Sequence, residues 1–431
     1  MIRCAFFERD VTPPLGCDIP GYWKKRPATG VLDPLYVKAF VADDGERRTA
    51  LIAADAVELL THQCEKIAQR VEALTGIGTD SVAVTATHTH YGVPCGEPYG
   101  AEEDAAFMDV FCRVAADCVL QAVRRLAPCE VRFGCGRVDG ISFNRDYVLR
   151  DGSVCTNPGA RDDVVRPFDG NDPLLPVLSV RDAQGRPVGA VISFACHQDC
   201  IGGSEYSGDF SSELSRQLKS RYGEEFVSVY VAGASGDINH IDRSRAEKLP
   251  YTERGRRLAE EAARVIETDS APGDTDRVFG AKARLLCRLR RATAAELAEA
   301  QRIAETGESG QNTMLGSLMS ELLLDYEKKT AASGRKTGEL PVQVFSIGGI
   351  FLAALPGELY HRFGTQIREA APGGRCVIAT LANGMYGYIP VPELLGTDVY
   401  PAQLCAGSRW EGDTGERIVR KTAELMRMLG R

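Results

Sequence analysis

The sequence predicts an α/β protein, with mixed sheets flanked by helices in a single elaborated catalytic domain over residues 1–431. Three observations predict it. Apolar β-type runs at 49–55, 81–86, 190–195, 350–355 and 376–382 alternate with segments of helical periodicity. Four of those runs lead directly into rare polar groups, and the crevice beyond strand carboxyl ends is where α/β sheets bind ligands. The 431 residues are 44% apolar and 26% charged, ample for a sizeable core.

Taken in order, residues 1–25 read as an extended N-terminal segment, because Pro13 and Pro14 fix φ and push their neighbours towards extended states. Runs at 35–41 and 49–55 form strands around the turn Asp43-Asp44-Gly45-Glu46. A helix near 61–74 sets Ile67, Val71 and Leu74 on one face, and the strand 81–87 follows. A long helix at about 104–126 carries a core-facing stripe of Phe107, Val110, Phe111, Val114 and Val119. Residues 129–137 form a strand whose following loop reaches Phe143-Asn144-Arg145-Asp146. Past residue 206 a helix starts at Asp209 or Ser211 and buries Leu214 and Leu218. Strand 226–232 runs into Gly233-Ala-Ser-Gly-Asp-Ile-Asn-His240, and a helix spans about 251–267. A basic β-type run covers 278–289. Residues 292–331 are Ala/Glu-rich, a helical insertion broken at 307–310 that serves as scaffold or lid. A hairpin at 342–354 turns at Gly348-Gly349, and an amphipathic helix at 413–429 closes the chain.

A net charge of −8 and a pI near 5.5 argue against nucleic acid or an anionic membrane as a general partner. No stretch approaches the roughly 18 apolar residues of a membrane-spanning helix. The first residues lack an apolar leader core, and the fourteen cysteines then read as reduced thiols, so a cytoplasmic location is expected. Cys196 and Cys200 bracket His197 and are read as small buried thiols. The oligomeric state is open.

The chemistry centres on Thr87-His88-Thr89-His90. Two histidines at i and i+2 past a strand share one face, and neutral imidazole suits zinc and its neighbours. The alternative is a hydrogen-bonded pair at a strand end. The chain has six histidines in all, so two within three residues is a notable concentration. His197, Glu358, and Tyr386 or Tyr388 each fall just past another strand, which describes one convergent site. Asp55 is expected to accept from a ligand histidine. Asp237 either caps backbone amides or touches the metal. His240 and His361 are not expected to be ligands, and His62 is expected at the surface.

With its N-terminal segment, His-x-His, Gly-Asp turn, Pro356-Gly357-Glu358 and Asn383-x-x-Tyr386-x-Tyr388 in this order, the chain resembles the neutral/alkaline (non-lysosomal) ceramidase family. The likeness covers most of the length and matches the family's catalytic N-terminal domain, with no room for its C-terminal immunoglobulin-like domain. The resemblance implies zinc held by His88, His197, Glu358 and Tyr388, with His90 and Arg145 as active-site groups beside it. Tyr400 lies twelve residues beyond Tyr388, the family's spacing between its ligand tyrosine and a second active-site tyrosine, which favours Tyr388 over Tyr386. One departure stands out. Asn239 occupies the position of the family's catalytic serine, and an amide cannot act as an alcohol nucleophile, although it can donate to an oxyanion.

The expected function is therefore that of a zinc-dependent amidohydrolase. It cleaves an N-acyl bond through metal-bound hydroxide, ceramidase-like, on a smaller or more polar small-molecule amide or ester. In this reading His90 shuttles a proton, and Arg145, Asn239 and Tyr400 steady the oxyanion or an anionic substrate group. The alternatives are an ester, lactone or glycan-related hydrolase, or a metal-binding pseudoenzyme on the same scaffold.

Overall fold

The computed structural model describes residues 1–96, 100–245, 247–307 and 316–430. It is a mixed α/β protein. A nine-stranded sheet runs in the order Val227–Ala232, Pro187–Phe194, Leu174–Asp182, Ala127–Arg137, Arg3–Asp10, Tyr36–Asp43, Arg48–Ala54, Val82–Ala86, with Ala271–Pro272 pairing on the side of Ala127–Arg137. A four-stranded sheet runs Val278–Arg288, Thr337–Ile347, Ile350–Ala354, Cys376–Ala379.

Strand alternation sorts side chains into layers. On the central strands Val37, Ala39, Val41, Ile52 and Val84 point outwards and pack against helices Thr61–Thr75 and Ala105–Arg124 through Ile67, Val71, Phe111 and Val119. Their neighbours Phe40, Ala42, Leu51 and Ala83 point inwards and meet Phe345, Ile347 and Leu352 of the smaller sheet. At the other end of the large sheet, Ile192 and Phe194 are covered by helices Phe210–Tyr222 and Tyr251–Arg264. Helices His361–Ala370 and Thr414–Leu429 cover the far face of the smaller sheet through Phe363, Ile367, Ile418 and Met426. The result is helices, sheet, sheet, helices, with each apolar face covered. Among the described residues, no helix is long and apolar enough to cross a membrane.

Within the two large sheets, three of the described strand pairs are parallel: Arg48–Ala54 with Val82–Ala86, Pro187–Phe194 with Val227–Ala232, and Ile350–Ala354 with Cys376–Ala379. Their carboxyl ends meet. Thr85 Oγ1 donates to Thr380 O at 2.6 Å, Ser193 Oγ to Ile378 O at 2.6 Å, and Thr380 N to Ala232 O at 2.8 Å. These bonds bring three strand-end crevices to one place.

Several expectations need correction. Residues 3–10 are more than an extended lead-in, since Arg3–Asp10 pairs along its whole length with Tyr36–Asp43 inside the large sheet. Leu174–Asp182 is a further internal strand, with Pro176 opposite Cys135. Val110 and Leu74 lie outside the core, 57% and 37% exposed, and Met108, Cys112 and Ala115 complete the buried face of Ala105–Arg124. Asp209 is the cap of its helix, its side chain accepting from Phe210 N, while Ser211 lies in the first turn. The helical insertion comprises Ala294–Thr306 and Gly316–Ser333, packed on each other, and the expected break at 308–310 lies outside the described residues.

A candidate metal centre at the meeting of three parallel strand pairs

Val82–Ala86 ends two residues before His88, which takes φ of +68°. A non-glycine residue there stores of order 1–3 kcal/mol unless its surroundings hold it. They do so twice: His88 N donates to Ala56 O at 2.9 Å and His88 Nδ1 to Val57 O at 2.8 Å. The left-handed turn also means that His88 and His90 do not share a face through strand alternation. They converge because the loop is pinned, with ring centroids 5.1 Å apart.

His197 follows Pro187–Phe194, and its Nδ1 donates to Ile238 O at 2.9 Å. His90 Nδ1 donates to Gly21 O at 3.0 Å. Gly21 has φ of +116°, and a Cβ there would lie 2.8 Å from the His90 ring nitrogen, so only glycine fits. The residues around it wrap His90 further: the Tyr22 ring meets it edge-on at 5.5 Å, and Arg26 donates to its carbonyl. Tyr91, with Tyr22, also binds the Asp199 carboxylate nearby.

A carbonyl oxygen can only accept, so each of these Nδ1 atoms carries the proton and each Nε2 presents a lone pair. The three imidazoles offer nitrogens within 4.8 Å of one another, a group that could hold a metal ion. Glu358, just past Ile350–Ala354, adds Oε2 at 3.3 Å from His88 Nε2 and 3.2 Å from His197 Nε2. His88 Nε2, His90 Nε2 and Glu358 Oε2 are all buried without a hydrogen-bond partner. Two ring lone pairs facing a carboxylate oxygen repel unless a cation lies among them, so the donor set fits a metal.

Electrostatics agree with that donor set. Burial pushes His197 down to about 3, with Arg145 and His88 adding to it, and pushes His90 down to about 4. Both imidazoles are therefore neutral at pH 7, the form that ligates.

Tyr388 stands beside Glu358 through the parallel pairing of Glu358–Leu359 with Tyr388–Ile389. Tyr386 is turned away, its hydroxyl donating to Asn383 O at 3.2 Å. The Tyr388 ring packs edge-on against Tyr400 at 5.5 Å, and the Arg145 guanidinium lies over both rings at 5.2 and 5.8 Å. One Arg145 guanidinium nitrogen lies 3.3 Å from His197 Nε2, the other terminal nitrogen donates to Gly236 O, and its backbone N bonds Asp237 O. Burial opposes its charge, but Tyr388, Glu358 and Asp146 raise it overall. His88, His90, Glu358, Tyr388 and Tyr400 line one cavity of about 560 Å³, together with Trp23, Glu58, Leu60, Met385 and Arg409.

The remaining expected groups fall elsewhere. Asn239 lines a neighbouring cavity with Phe143, Tyr147, Asn157 and His240, and its amide donates to Asn157 Oδ1 at 2.6 Å and accepts from Ile241 N at 2.9 Å. Asp55 bonds Thr87 Oγ1 and Tyr36 N rather than a histidine, which corrects its expected role. Asp237 accepts from His361 N at 2.8 Å and His361 Nδ1 at 2.6 Å, and from Asn144 Nδ2 at 3.0 Å, so it caps and pairs. His62 is exposed beside Glu103. Cys196 and Cys200 are raised by burial, Cys196 to about 12, and stay thiols. Sequence reasoning missed Glu58, Asp199, Tyr22, Tyr91 and Arg26. Only the aromatic residues Tyr22 and Tyr91, the latter next to His90, offered a hint.

No protein-family model matches the chain. Neutral ceramidase of Pseudomonas aeruginosa is 25% identical over 437 aligned positions, covering 85% of this chain and 63% of the relative's own length. The crystal structure of that neutral ceramidase superposes with a TM-score of 0.74 at 19% identity, over 100% of this chain and 74% of the other. A ceramidase complexed with C2 gives 0.73 at 18% identity, over 99% and 74%. The chain thus spans a little under two thirds of the relative it matches in sequence, and in both sequence and fold it is similar to neutral ceramidase.

Proposed function

We propose that the chain is a zinc-dependent hydrolase that cleaves an N-acyl bond of a small, comparatively polar amide. The observation that carries this reading is the convergence of Nε2 lone pairs on the Glu358 carboxylate, each ring locked through Nδ1 to a backbone carbonyl. The similarity to neutral ceramidase supports the reaction class. His88, His197, Glu358 and Tyr388 would hold the metal. When bound, such a cation supplies a Lewis acid and makes water ionise near neutral pH.

The other residues bind and orient. His90 has its Nδ1 proton committed to Gly21 O, so its Nε2 is free to take a proton from the attacking water and pass it to the departing amine. Arg145 keeps its charge at all working pH values and, with the Tyr400 hydroxyl, offers donors where negative charge develops on the carbonyl oxygen. Trp23 and Met385 give the cavity apolar walls that limit water. Asn239 rules out covalent serine catalysis at its position. With both ends of its amide engaged, it acts here as a framework group for the Gly236–Asn239 turn.

The test is a hydrolysis panel of amides, esters and lactones, run on purified protein before and after removal of metal by a chelator. Amide turnover that disappears on chelation and returns with zinc is the expected result. Turnover indifferent to chelation would refute the reading, and bound zinc with no turnover across the panel would favour a binding role.

A further inference from the structure

Glu58 takes no part in the chemistry above, yet it lies deep in the same cavity. It directly follows Val57, whose carbonyl orients His88 at 2.8 Å, so the local backbone holds it beside the metal centre. It is 6% exposed, and its Oε1 is buried with no hydrogen-bond partner. Among the described residues it makes no ion pair. Arg409, which also lines the cavity, donates to Ala406 O, and its charge acts on Glu58 without forming an ion pair. A buried acceptor left without a donor costs about 1–3 kcal/mol. A purely apolar substrate would leave that cost in place, and a substrate with a donor at this point would remove it.

We propose that Glu58 is a specificity-determining residue that receives a hydroxyl or ammonium group of the substrate. The amide cleaved at this centre then carries a polar hydrogen-bond donor where it lies against Val57 and Glu58, rather than an unbroken alkyl chain. The proposal rests on the amide-hydrolase reading and narrows its substrate class.

The experiment uses the zinc-loaded full chain, Glu58→Gln and Glu58→Leu, with a matched set of amides. In each, one methyl group on the amine or the acyl half is replaced by hydroxyl or by ammonium. The wild-type protein should prefer one donor-bearing member over its methyl counterpart by about tenfold or more in kcat/KM. Glu58→Leu should erase that preference. Glu58→Gln should keep it if the donor is a hydroxyl and lose it if the donor is an ammonium. Metal content should be the same in all three proteins. An unchanged preference in Glu58→Leu overturns the proposal, and so does loss of metal from that variant, because the carboxyl would then be holding the cation. If no member is cleaved, the hydrolase reading has failed separately, and binding of the same compounds is followed by the fluorescence of Trp23 in the cavity wall. Donor-selective binding lost in Glu58→Leu then sustains the proposal, and equal binding by both proteins overturns it.

Discussion

Gly236 lies where the turn after Val227–Ala232 passes under Glu358, and it offers a way to disturb the candidate metal centre without touching a donor atom. A Cβ at Gly236 would stand 2.4 Å from the Glu358 carbonyl oxygen and 3.1 Å from its carbonyl carbon. Carbon and oxygen approach to about 3.3 Å at closest in ordinary contacts, so Gly236→Ala must displace one backbone by about 1 Å. Both neighbours are main chain, and Gly236 N is tied to Leu359 O at 2.8 Å, so no flexible side chain can absorb the shift. Glu358 Oε2 holds its place 3.3 and 3.2 Å from the two ring nitrogens, and a displacement near 1 Å spoils that geometry. The expected loss of metal affinity is about 10–100-fold, the usual cost of disturbing the support of a ligand. Overpacking adds about 1–3 kcal/mol of instability. A chain of 431 residues unfolds with an entropy of about 0.9 kcal/mol per kelvin, so Tm should fall by only about 1–3 °C. Chelator competition followed by metal analysis reads the first effect and a thermal scan the second. Gly170→Ala is the control, since a Cβ there meets nothing within 4 Å. A Gly236→Ala protein that holds its metal as tightly as Gly170→Ala would show that the Glu358 donor does not depend on this backbone contact.

Asp237→Ala removes the partner of a buried histidine and should destabilise by about 3–5 kcal/mol. Burial lowers His361, but Asp237, with Asp169 and Asp172 beyond, carries it above its ordinary value. The contribution of the pair is therefore full below about pH 6.5 and is lost as pH rises through the folded value. A stability difference between wild type and Asp237→Asn that stays flat from acid to alkaline pH would contradict this. Arg145→Lys should lower turnover by about 10²-fold with metal content unchanged, because a lysine cannot reproduce the fork that reaches His197 and Gly236. Retained turnover would remove Arg145 from the chemistry. Denatured protein should show fourteen labelled thiols, and native protein should label first at exposed Cys135, with buried thiols such as Cys196, which burial pushes up to about 12, labelling late. A deficit in the denatured count would mean that disulfides form.

The candidate site was legible in the sequence where strand ends carry rare groups. His88, His197 and Glu358 each follow an apolar run, and those runs are the first members or partners of the three parallel pairs. The reason offered for the histidine pair was incomplete: a period of two gives way at His88, whose positive φ is set by contacts to Ala56 and Val57 rather than by local preference. Arg3–Asp10 was hidden because its pattern turns charged at Glu8-Arg9-Asp10, and its place inside the sheet depends on Tyr36–Asp43. Leu174–Asp182 was hidden by Pro176, which the sheet accommodates opposite Cys135. Glu58 and Asp199 drew no expectation, since nothing local distinguishes a solvated carboxylate from one that packing encloses. Asp55 ends its strand as expected, but its partners Thr87 and Tyr36 are a matter of tertiary geometry.

We propose that His88 and His197 hold a metal against Glu358. Metal analysis of the purified wild-type protein, His88→Ala and His197→Ala tests it most directly. Close to one zinc per wild-type chain and near-complete loss in each variant, with both variants still folded, are the expected results. Unchanged metal content in both variants would contradict it.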